Sequence, residues 1–472
     1  MRPGSLLGVV LATLVPGPAL ADENKDIDLI PKELQDESAK PPPPPKTSAA
    51  SSRPSFRGKF YLEDAFTLAS APREVAVPFP ATPFDWLNRT SLDAAIEWEP
   101  IKRLRLTLSN RINVLEQDGV SFFSRQTVRN DLREGYVSWE PTTRSYLEVG
   151  RINVRNGAAL AFNPTDFFRT RTLVGQASLD PSVLRQNRLG TLMARAETIW
   201  DGGSTSIAFA PKLYAPSTIA TGDPLGVDPR FDATNAAYRV LYTLSFNVLG
   251  LSPQALAYFE LHRSKLGLNV TRQIGESVIA YAEWAGGSET NLITRAVAYG
   301  QETGTLPATA PALPPTNAGR AFRNDVATGA SWTIATKVTL NLEYHFHQAG
   351  FTRRDWANWF DIGSAQRGAR SVTGELWYVR GFASDQQEPV PMHQIFVRAA
   401  WPKAFVSNLE LTGFAFVDLL DGSTLTQVAA SYYLSDAWTL AAYGTANVGG
   451  ARTERGSFPQ AVSAILQIVC YL

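Results

Sequence analysis

Residues 337–347 read KVTLNLEYHFH, and their side chains alternate without a break between apolar and polar. Side chains on a β-strand point alternately to its two faces, so this alternation predicts a strand with one apolar and one polar face. The apolar face comprises Val338, Leu340, Leu342, Tyr344 and Phe346, and the polar face comprises Thr339, Asn341, Glu343, His345 and His347. A soluble sandwich could also contain one such strand. The recurrence of the pattern and the length of each strand therefore decide between a soluble sheet and a sheet that lies in a membrane.

The same alternation recurs along the chain after residue 56. It is visible in residues 91–98, 103–112, 238–247 and 265–271. Several strands exceed the roughly 5–6 residues that are usual in soluble sheets. They match the roughly 9–11 residues of a transmembrane β-strand. The pattern therefore favours strands that cross a membrane.

Short and long connections alternate between the predicted strands. Short ones lie near residues 99–101, 140–143, 201–203, 250–253, 274–276, 401–403 and 434–436, and long ones near 155–188, 214–235, 286–322 and 348–371. This arrangement is typical of outer-membrane barrels. Tryptophans near strand ends suit the membrane interface, namely Trp98, Trp139, Trp200, Trp284, Trp332, Trp401 and Trp438. We predict an all-β, transmembrane, antiparallel up-and-down β-barrel of about 18 strands with long extracellular loops.

Residues 372–380 leave the strand count open. As a wall strand they would break the alternation of connections before the turn at Trp401. As part of a long external or inward-folded excursion they leave an even count, which we favour because single-chain bacterial barrels have even strand numbers.

The first 55 residues differ in composition from the rest. A positive start at Arg2, an apolar run over residues 6–15 and the sequence Ala19-Leu20-Ala21 predict a signal peptide over residues 1–21. Residues 22–55 are acidic, then proline-rich at 41–45, and predict a disordered periplasmic segment. We interpret it as a spacer, with a docking peptide for a periplasmic partner as the alternative. Residues 56–472 form the predicted barrel.

Composition excludes several classes of function. Lys plus Arg and Asp plus Glu both number 44, and this balance argues against nucleic acid as a partner. Cys470 is the only cysteine, which excludes an intrachain disulfide. His345 and His347 share a strand face with Glu343, but one strand supplying three ligands makes poor tetrahedral geometry. We expect no metal, no cofactor and no catalytic residue.

Charged residues on two neighbouring strands are candidates for the pore wall. Asp93 and Glu97 fall on the polar face of one strand, and Arg103, Arg105 and Arg111 fall on the polar face of the next. Barrels of about 16–18 strands enclose an aqueous lumen, so these side chains would face it. They create a transverse field if they are offset around the pore, and they only pair locally if they are not.

The loop over residues 150–171, GRINVRNGAALAFNPTDFFRTR, is the candidate constriction. Its phenylalanines make a freely solvated loop unfavourable, and Asn163-Pro164-Thr165-Asp166 is a turn or helix-start signal. An inward fold would bring its charged residues to the narrowest point, with packing on the rim as the alternative. These residues are Arg151, Arg155, Asp166, Arg169 and Arg171.

Two motifs carry a resemblance to a known group. The sequence GRINVRNG followed by FNPTDFFR, and the later GSFPQAVSAILQ, resemble proteobacterial outer-membrane porin-like barrels of the alginate-exporter and anion-porin kind. The resemblance implies a passive channel or an exporter for a small or polymeric solute. The aromatic residue that commonly ends such barrels is absent, because the chain ends on Leu472.

These observations lead to one main functional interpretation and two alternatives. We expect a porin-like channel in the outer membrane of a Gram-negative cell, passing small hydrophilic solutes, with anions as the candidate class. The expected partners are outer-membrane lipid and lipopolysaccharide, small solutes, and further copies of the same chain in a homo-oligomer. The alternatives are an exporter of an anionic polysaccharide with periplasmic partners and an outer-membrane barrel enzyme.

Overall fold

The computed structural model describes residues 55–119, 127–214, 229–261, 263–335 and 337–472. The predicted signal peptide and residues 22–54 lie outside the described residues. The strands are β1 (Ser55–Pro72), β2 (Trp86–Ile101), β3 (Leu104–Gln117), β4 (Val128–Thr142), β5 (Ser145–Ile152), β6 (Thr191–Trp200), β7 (Gly203–Ala210), β8 (Arg239–Phe246), β9 (Leu251–Glu260), β10 (Lys265–Ile274), β11 (Val278–Glu289), β12 (Ala321–Thr333), β13 (Thr339–His347), β14 (His393–Trp401), β15 (Leu409–Asp418), β16 (Thr424–Ser435), β17 (Trp438–Val448) and β18 (Gln460–Tyr471).

The strands close into one barrel. Each strand pairs antiparallel with its sequence neighbours, and β1 pairs with both β2 and β18 in one 18-stranded sheet. Tyr61 on β1 lies opposite Tyr471 on one side and opposite Asp93 on the other. Closure leaves no unpaired strand edge, which a lipid environment requires. The predicted fold class and strand number are confirmed.

The two faces of the wall follow the alternation in the sequence. On β13, Leu342 is 57% exposed on the outer surface, whereas Glu343 is 0% exposed on the inner one. The inner neighbours His345 and His347 are also fully buried. The apolar side therefore faces outward as expected. The polar side does not face open water here, because other parts of the chain pack against it inside the barrel.

Connections of very different length join the strands at the two ends. Turns after even-numbered strands are short, such as 102–103, 143–144, 201–202 and 436–437. The longest connections all follow odd-numbered strands, and they span residues 153–190, 211–238, 290–320 and 348–392. They contain the helices α1 (Pro181–Gln186), α2 (Phe231–Thr234), α3 (Leu292–Glu302), α4 (Arg353–Ala365) and α5 (Arg370–Gln386). Residues 372–380 lie inside α5, so they are not a wall strand.

Helices α3, α4 and α5 form a unit with its own apolar core, which we call the helical cap. Helix α4 begins with a capping box, in which the Thr352 hydroxyl accepts from the Asp355 N–H and the Asp355 carboxylate accepts from the Thr352 N–H. Trp359 and Leu376 are fully buried between the helices, and Trp359 Nε1 donates to Leu376 O at 3.0 Å. Among the described residues no helix is both long and apolar enough to span a bilayer.

Most of the predicted interface tryptophans lie at the short-turn end. Trp98, Trp139, Trp200, Trp332 and Trp401 stand at or within a few residues of the last residue of an even-numbered strand, and Trp438 begins β17 after a short turn. Trp284 differs, because it lies within β11 and donates through Nε1 to Asn324 Oδ1 at 3.0 Å. A belt of tryptophans around one rim of the barrel suits a membrane interface, because the indole group is apolar but carries one polar N–H.

Leu342 provides a test of the outward face. Leu342→Arg should lower the yield of folded barrel in lipid vesicles, because a charge on a lipid-facing wall costs about 2–4 kcal/mol at the bilayer midplane. The yield can be measured from the heat-dependent shift of the folded band on a gel. Leu342→Ala is the control, because it keeps the face apolar. Equal yields for the two variants would contradict the outward assignment.

Candidate functional site in the barrel interior

Residues 153–190, between β5 and β6, run inside the barrel, and we call them the inward segment. Two wall carboxylates hold its backbone. Glu283 on β11 accepts from the Ala159 N–H at 2.6 Å, and Glu343 on β13 accepts from the N–H groups of Leu160 at 2.5 Å and Ala161 at 3.1 Å. Carboxylates that accept backbone N–H groups form strong, charge-assisted bonds. Strands far from β5 in the ring therefore fix the course of the inward segment.

The same segment reaches the wall on the opposite side of the barrel. Asp180 Oδ2 lies 2.7 Å from Arg398 Nε on β14, and the Leu179 N–H donates to Gln427 Oε1 on β16 at 2.9 Å. In strand order, β14 and β16 lie about halfway round the ring from β5 and β6. The inward segment consequently spans the lumen from wall to wall.

A buried ion pair stabilises the fold of the inward segment. Arg188 donates from both terminal nitrogens to Asp166 at 2.7 and 2.9 Å, and Arg185 Nε lies 3.4 Å from the same carboxylate. Burial alone would raise the pKa of Asp166, but the two guanidinium groups outweigh burial and hold that pKa below its usual range. The turn that the sequence predicted is present, since the Asp166 N–H donates to Asn163 O at 3.2 Å.

A second network joins the inward segment to the helical cap. Glu388 follows α5 and makes a bidentate contact with Arg295 of α3 at 2.6 and 3.2 Å. Arg169 of the inward segment approaches Glu388 at 3.9 Å and donates to Gln386 O at 3.2 Å. Burial acts to raise the pKa of Glu388, but Arg295 and the neighbouring cations hold it well below its usual range. The inward segment and the helical cap are therefore linked by electrostatic interactions.

The wall itself carries a third cluster, on β1 to β4. Arg111 lies 2.7 Å from Glu63 and 3.5 Å from Asp93, and Arg133 also bonds to Asp93. Asp93 and Arg111 are directly opposite each other in the β2–β3 register. All four side chains are buried. The four charges of this cluster are therefore paired with one another within the wall.

The remaining candidates from the sequence fall into different settings. Glu97 and Arg105 are exposed and line, with Arg57, Ser55, Trp98 and Glu99, a cavity of about 160 Å³ at the short-turn end. Arg103 does not belong to the polar face of β3. It lies in the β2–β3 turn with φ 71°, where its N–H approaches Glu99 Oε1 at 3.3 Å. The chain must reverse direction there, and this removes Arg103 from the strand alternation.

The arginines around the inward segment are mostly paired. Arg151 is buried and donates to Gly190 O at 2.9 Å and to Pro229 O at 2.5 Å. Arg171 is half-buried and lies 3.3 Å from Asp232. Arg155 is exposed. Of the five charged candidates in this loop, Arg155 has the freest access to solvent.

Two wall arginines that the sequence reasoning did not single out carry unsatisfied donors. Nη1 of Arg89 on β2 and Nε and Nη2 of Arg239 on β8 are buried without a hydrogen-bond partner in the described part of the chain. The Arg239 guanidinium lies 5.0 Å from the centre of the Phe168 ring. The alternation on β8 had already placed Arg239 on the polar face. In the β8–β9 register Arg239 lies opposite Glu260.

Comparison with known proteins gives similarity in structure alone. No protein-family model matches the chain, and no curated protein matches it. OccK11 (OpdR) of Pseudomonas aeruginosa aligns over 88% of this chain and 96% of its own, with 10% identity and a TM-score of 0.48. OccK5 (OpdH) of the same species aligns over 88% and 98%, with 8% identity and a TM-score of 0.48. A triple mutant of Rhodopseudomonas blastica porin aligns over 89% and 100%, with 9% identity and a TM-score of 0.40. These values are too low to assign a family or a solute.

Proposed function

We propose that the protein is a porin-like channel of a Gram-negative outer membrane that passes small hydrophilic solutes by diffusion, with a preference for anions. The observation that carries the proposal is the combination of an apolar outer wall and a charged interior crossed by the inward segment. A wall of this kind is suited to lipid. An 18-stranded barrel is wide enough to enclose a lumen, and a segment spanning that lumen limits the size of what passes.

The inward segment, which spans the lumen, favours small solutes over a polymer. Export of an anionic polysaccharide calls for one continuous arginine-rich track. The interior arginines Arg111, Arg188 and Arg398 are instead paired one by one with carboxylates. Among the anion-porin and alginate-exporter groups that the motifs resemble, this arrangement supports the porin. The barrel-enzyme alternative gains nothing from His345, His347 and His393, which contact Glu343, Asp325 and Tyr344.

The preference for anions rests on arginine donors that the described part of the chain does not satisfy. Arg89 and Arg239 have buried donors without a hydrogen-bond partner among the described residues, and Arg155 is exposed. Glu63 attracts Arg89, but Arg111 and Arg129 repel it. Charge of one sign in a low-dielectric wall raises the local concentration of counter-ions. Solutes with a carboxylate or phosphate group can satisfy such guanidinium donors in pairs.

A double variant tests this preference. Arg89→Gln combined with Arg239→Gln should shift the reversal potential of single channels in a salt gradient toward cation preference. The shift should be large near 0.1 M salt, where the Debye length is about 10 Å, and small near 1 M, where it is about 3 Å.

The control for this experiment is Arg144→Gln, which removes one positive charge from an exposed ion pair with Asp201 in the short turn after β4. Its reversal potential should stay at the wild-type value. An unchanged reversal potential in the double variant at low salt would refute the role of the two arginines. Whether the protein forms a channel would then be tested separately, by measuring its single-channel conductance.

We propose that the long connections face the cell exterior and that residues 1–21 direct export. Both chain ends of the barrel, Ser55 and Tyr471, lie at the short-turn end. In a Cys470→Ser background, Ala308→Cys in the connection 290–320 should react with a membrane-impermeant maleimide on intact cells. Thr143→Cys in the turn 143–144 should react only after lysis. The reverse labelling pattern would overturn the orientation.

A further inference from the structure

Two loops at the long-connection end are joined by side-chain hydrogen bonds, one of them accepted by a carboxylate. Residues 419–423 join β15 to β16, and residues 449–459 join β17 to β18. Asp421 Oδ2 accepts from the Glu454 N–H at 2.6 Å, and Ser423 Oγ accepts from the Arg455 N–H at 3.1 Å. Asp418 closes β15 directly before the first loop. The contacts therefore bring three carboxylates, those of Asp418, Asp421 and Glu454, into one region.

Two of these carboxylates each leave one oxygen unsatisfied. Asp418 and Glu454 are both 1% exposed. Asp418 Oδ1 accepts from the Leu420 N–H at 2.7 Å, and Glu454 Oε1 lies 3.0 Å from Arg455 Nη2. Asp418 Oδ2 and Glu454 Oε2 have no hydrogen-bond partner among the described residues. Buried carboxylate oxygens without partners are costly, so these two oxygens are candidate ligands for a cation.

The charges around these oxygens do not cancel. Asp418 is within electrostatic range of Glu454, Asp421 and Arg455. Arg380 of α5 also approaches, but its Nη2 donates to the Glu454 backbone O at 2.9 Å. Its guanidinium stacks 4.5 Å from the centre of the Trp377 ring. The charges that act on Asp418 are thus two carboxylates and one guanidinium group, and their sum is negative.

We propose that Asp418 and Glu454 supply the two charged ligands of a divalent-cation site of the Ca²⁺ class, between the β15–β16 and β17–β18 loops. Ca²⁺ takes about 6–8 oxygen ligands in flexible geometry and accepts backbone carbonyls and water among them. Among the described residues, no group of three or more acidic, histidine or cysteine side chains is arranged to hold a metal ion. Two carboxylates therefore need backbone and water ligands to complete the site, and that composition suits the weak affinity of about 10⁻⁴–10⁻³ M found in extracellular modules.

The site would connect the barrel to the helical cap. Asp418 belongs to the wall strand β15, whereas the Glu454 backbone O accepts from Arg380 of α5. A bound cation would neutralise the repulsion between Asp418 and Glu454 and hold their loops together. The cap would then be more rigid on the barrel with the cation than without it. This inference goes beyond the channel function and does not depend on it.

Terbium provides the test, because it binds Ca²⁺ sites and luminesces when nearby tryptophans are excited. Trp377, Trp359 and Trp356 surround Arg380 at 4.5 to 5.4 Å. The full chain in detergent should show saturable luminescence that excess Ca²⁺ removes. Asp418→Asn and Glu454→Gln should each weaken the apparent affinity by about tenfold or more, because each removes a charged ligand. Asp201→Asn is the control, since it removes an exposed carboxylate that pairs with Arg144 at the short-turn end of the barrel, away from both loops.

Folding of each variant is checked first by the heat-dependent shift of the band on a gel. Glu454→Gln decides the matter if Asp418→Asn does not fold, and Asp418→Asn decides it in the converse case. Ca²⁺ should also slow proteolysis of the loop 449–459 in the wild type but not in a folded variant. Absence of saturable luminescence in the wild type would overturn the proposal. Equal affinity in the wild type and a folded variant would do the same.

Discussion

Deleting residues 158–170 should raise the single-channel conductance several-fold. These residues include the backbone that Glu283 and Glu343 hold against the far wall, and they include Asp166 and Arg169. Their removal opens the interior of a barrel that is otherwise wide enough for an aqueous lumen. Glu283 and Glu343 would then be hydrated rather than buried, so the wall should still assemble. Conductance in planar bilayers is the measurement.

The control deletion removes residues 35–47, which are equally numerous and precede β1. Its conductance should equal that of the wild type. A gain in conductance confined to the 158–170 deletion would identify the inward segment as the narrow point of the path. Unchanged conductance after that deletion would mean that solutes pass elsewhere, and the rim packing considered from the sequence would become the better account of this loop.

The strands of the barrel wall were predictable from the sequence, because the alternation that defines each strand lies within that strand. The alternation in residues 337–347 depends only on which face of a strand meets lipid. It therefore matches the observed exposure of Leu342 and burial of Glu343. Closure into 18 strands followed from the same pattern together with the alternation of connection lengths. Residues 372–380 were ambiguous, because a short stretch of mixed polarity such as VTGELWYVR fits a strand or a helix.

The interior was less predictable because its contacts are distant in sequence. Arg398 and Asp180 belong to different parts of the chain, and so do Arg295 and Glu388. No pattern within one strand reveals such partners. The sequence indicates the arginines of the loop over residues 150–171, but it does not distinguish paired ones such as Arg169 from exposed ones such as Arg155. Arg103 was misplaced because a turn with positive φ interrupts the alternation.

Asp166→Asn should loosen the inward segment without preventing assembly of the barrel. The substitution leaves Arg188 buried and Arg185 half-buried without their shared carboxylate. Removing one partner of a buried ion pair costs about 3–5 kcal/mol. Because the wall strands do not depend on this pair, the cost should appear as local opening. Hydrogen exchange at the Ala159 and Leu160 amides should become about a hundredfold faster or more, as local opening requires less free energy.

Acid should produce the same loosening in the wild type. The two arginines lower the pKa of Asp166 in the folded protein, so the carboxylate contributes stability that is fully present above its ordinary value of about 4. That contribution declines as the pH falls below about 4 and is gone once the pH has passed the lower, folded pKa. Exchange at Ala159 should therefore accelerate below pH 4 in the wild type, relative to the intrinsic rate, and change much less in Asp166→Asn. Asp201→Asn is the control, because it removes an exposed carboxylate paired with Arg144 in a short turn.

If Asp166→Asn leaves the Ala159 and Leu160 amides as protected as in the wild type, Glu283 and Glu343 alone hold the segment in place.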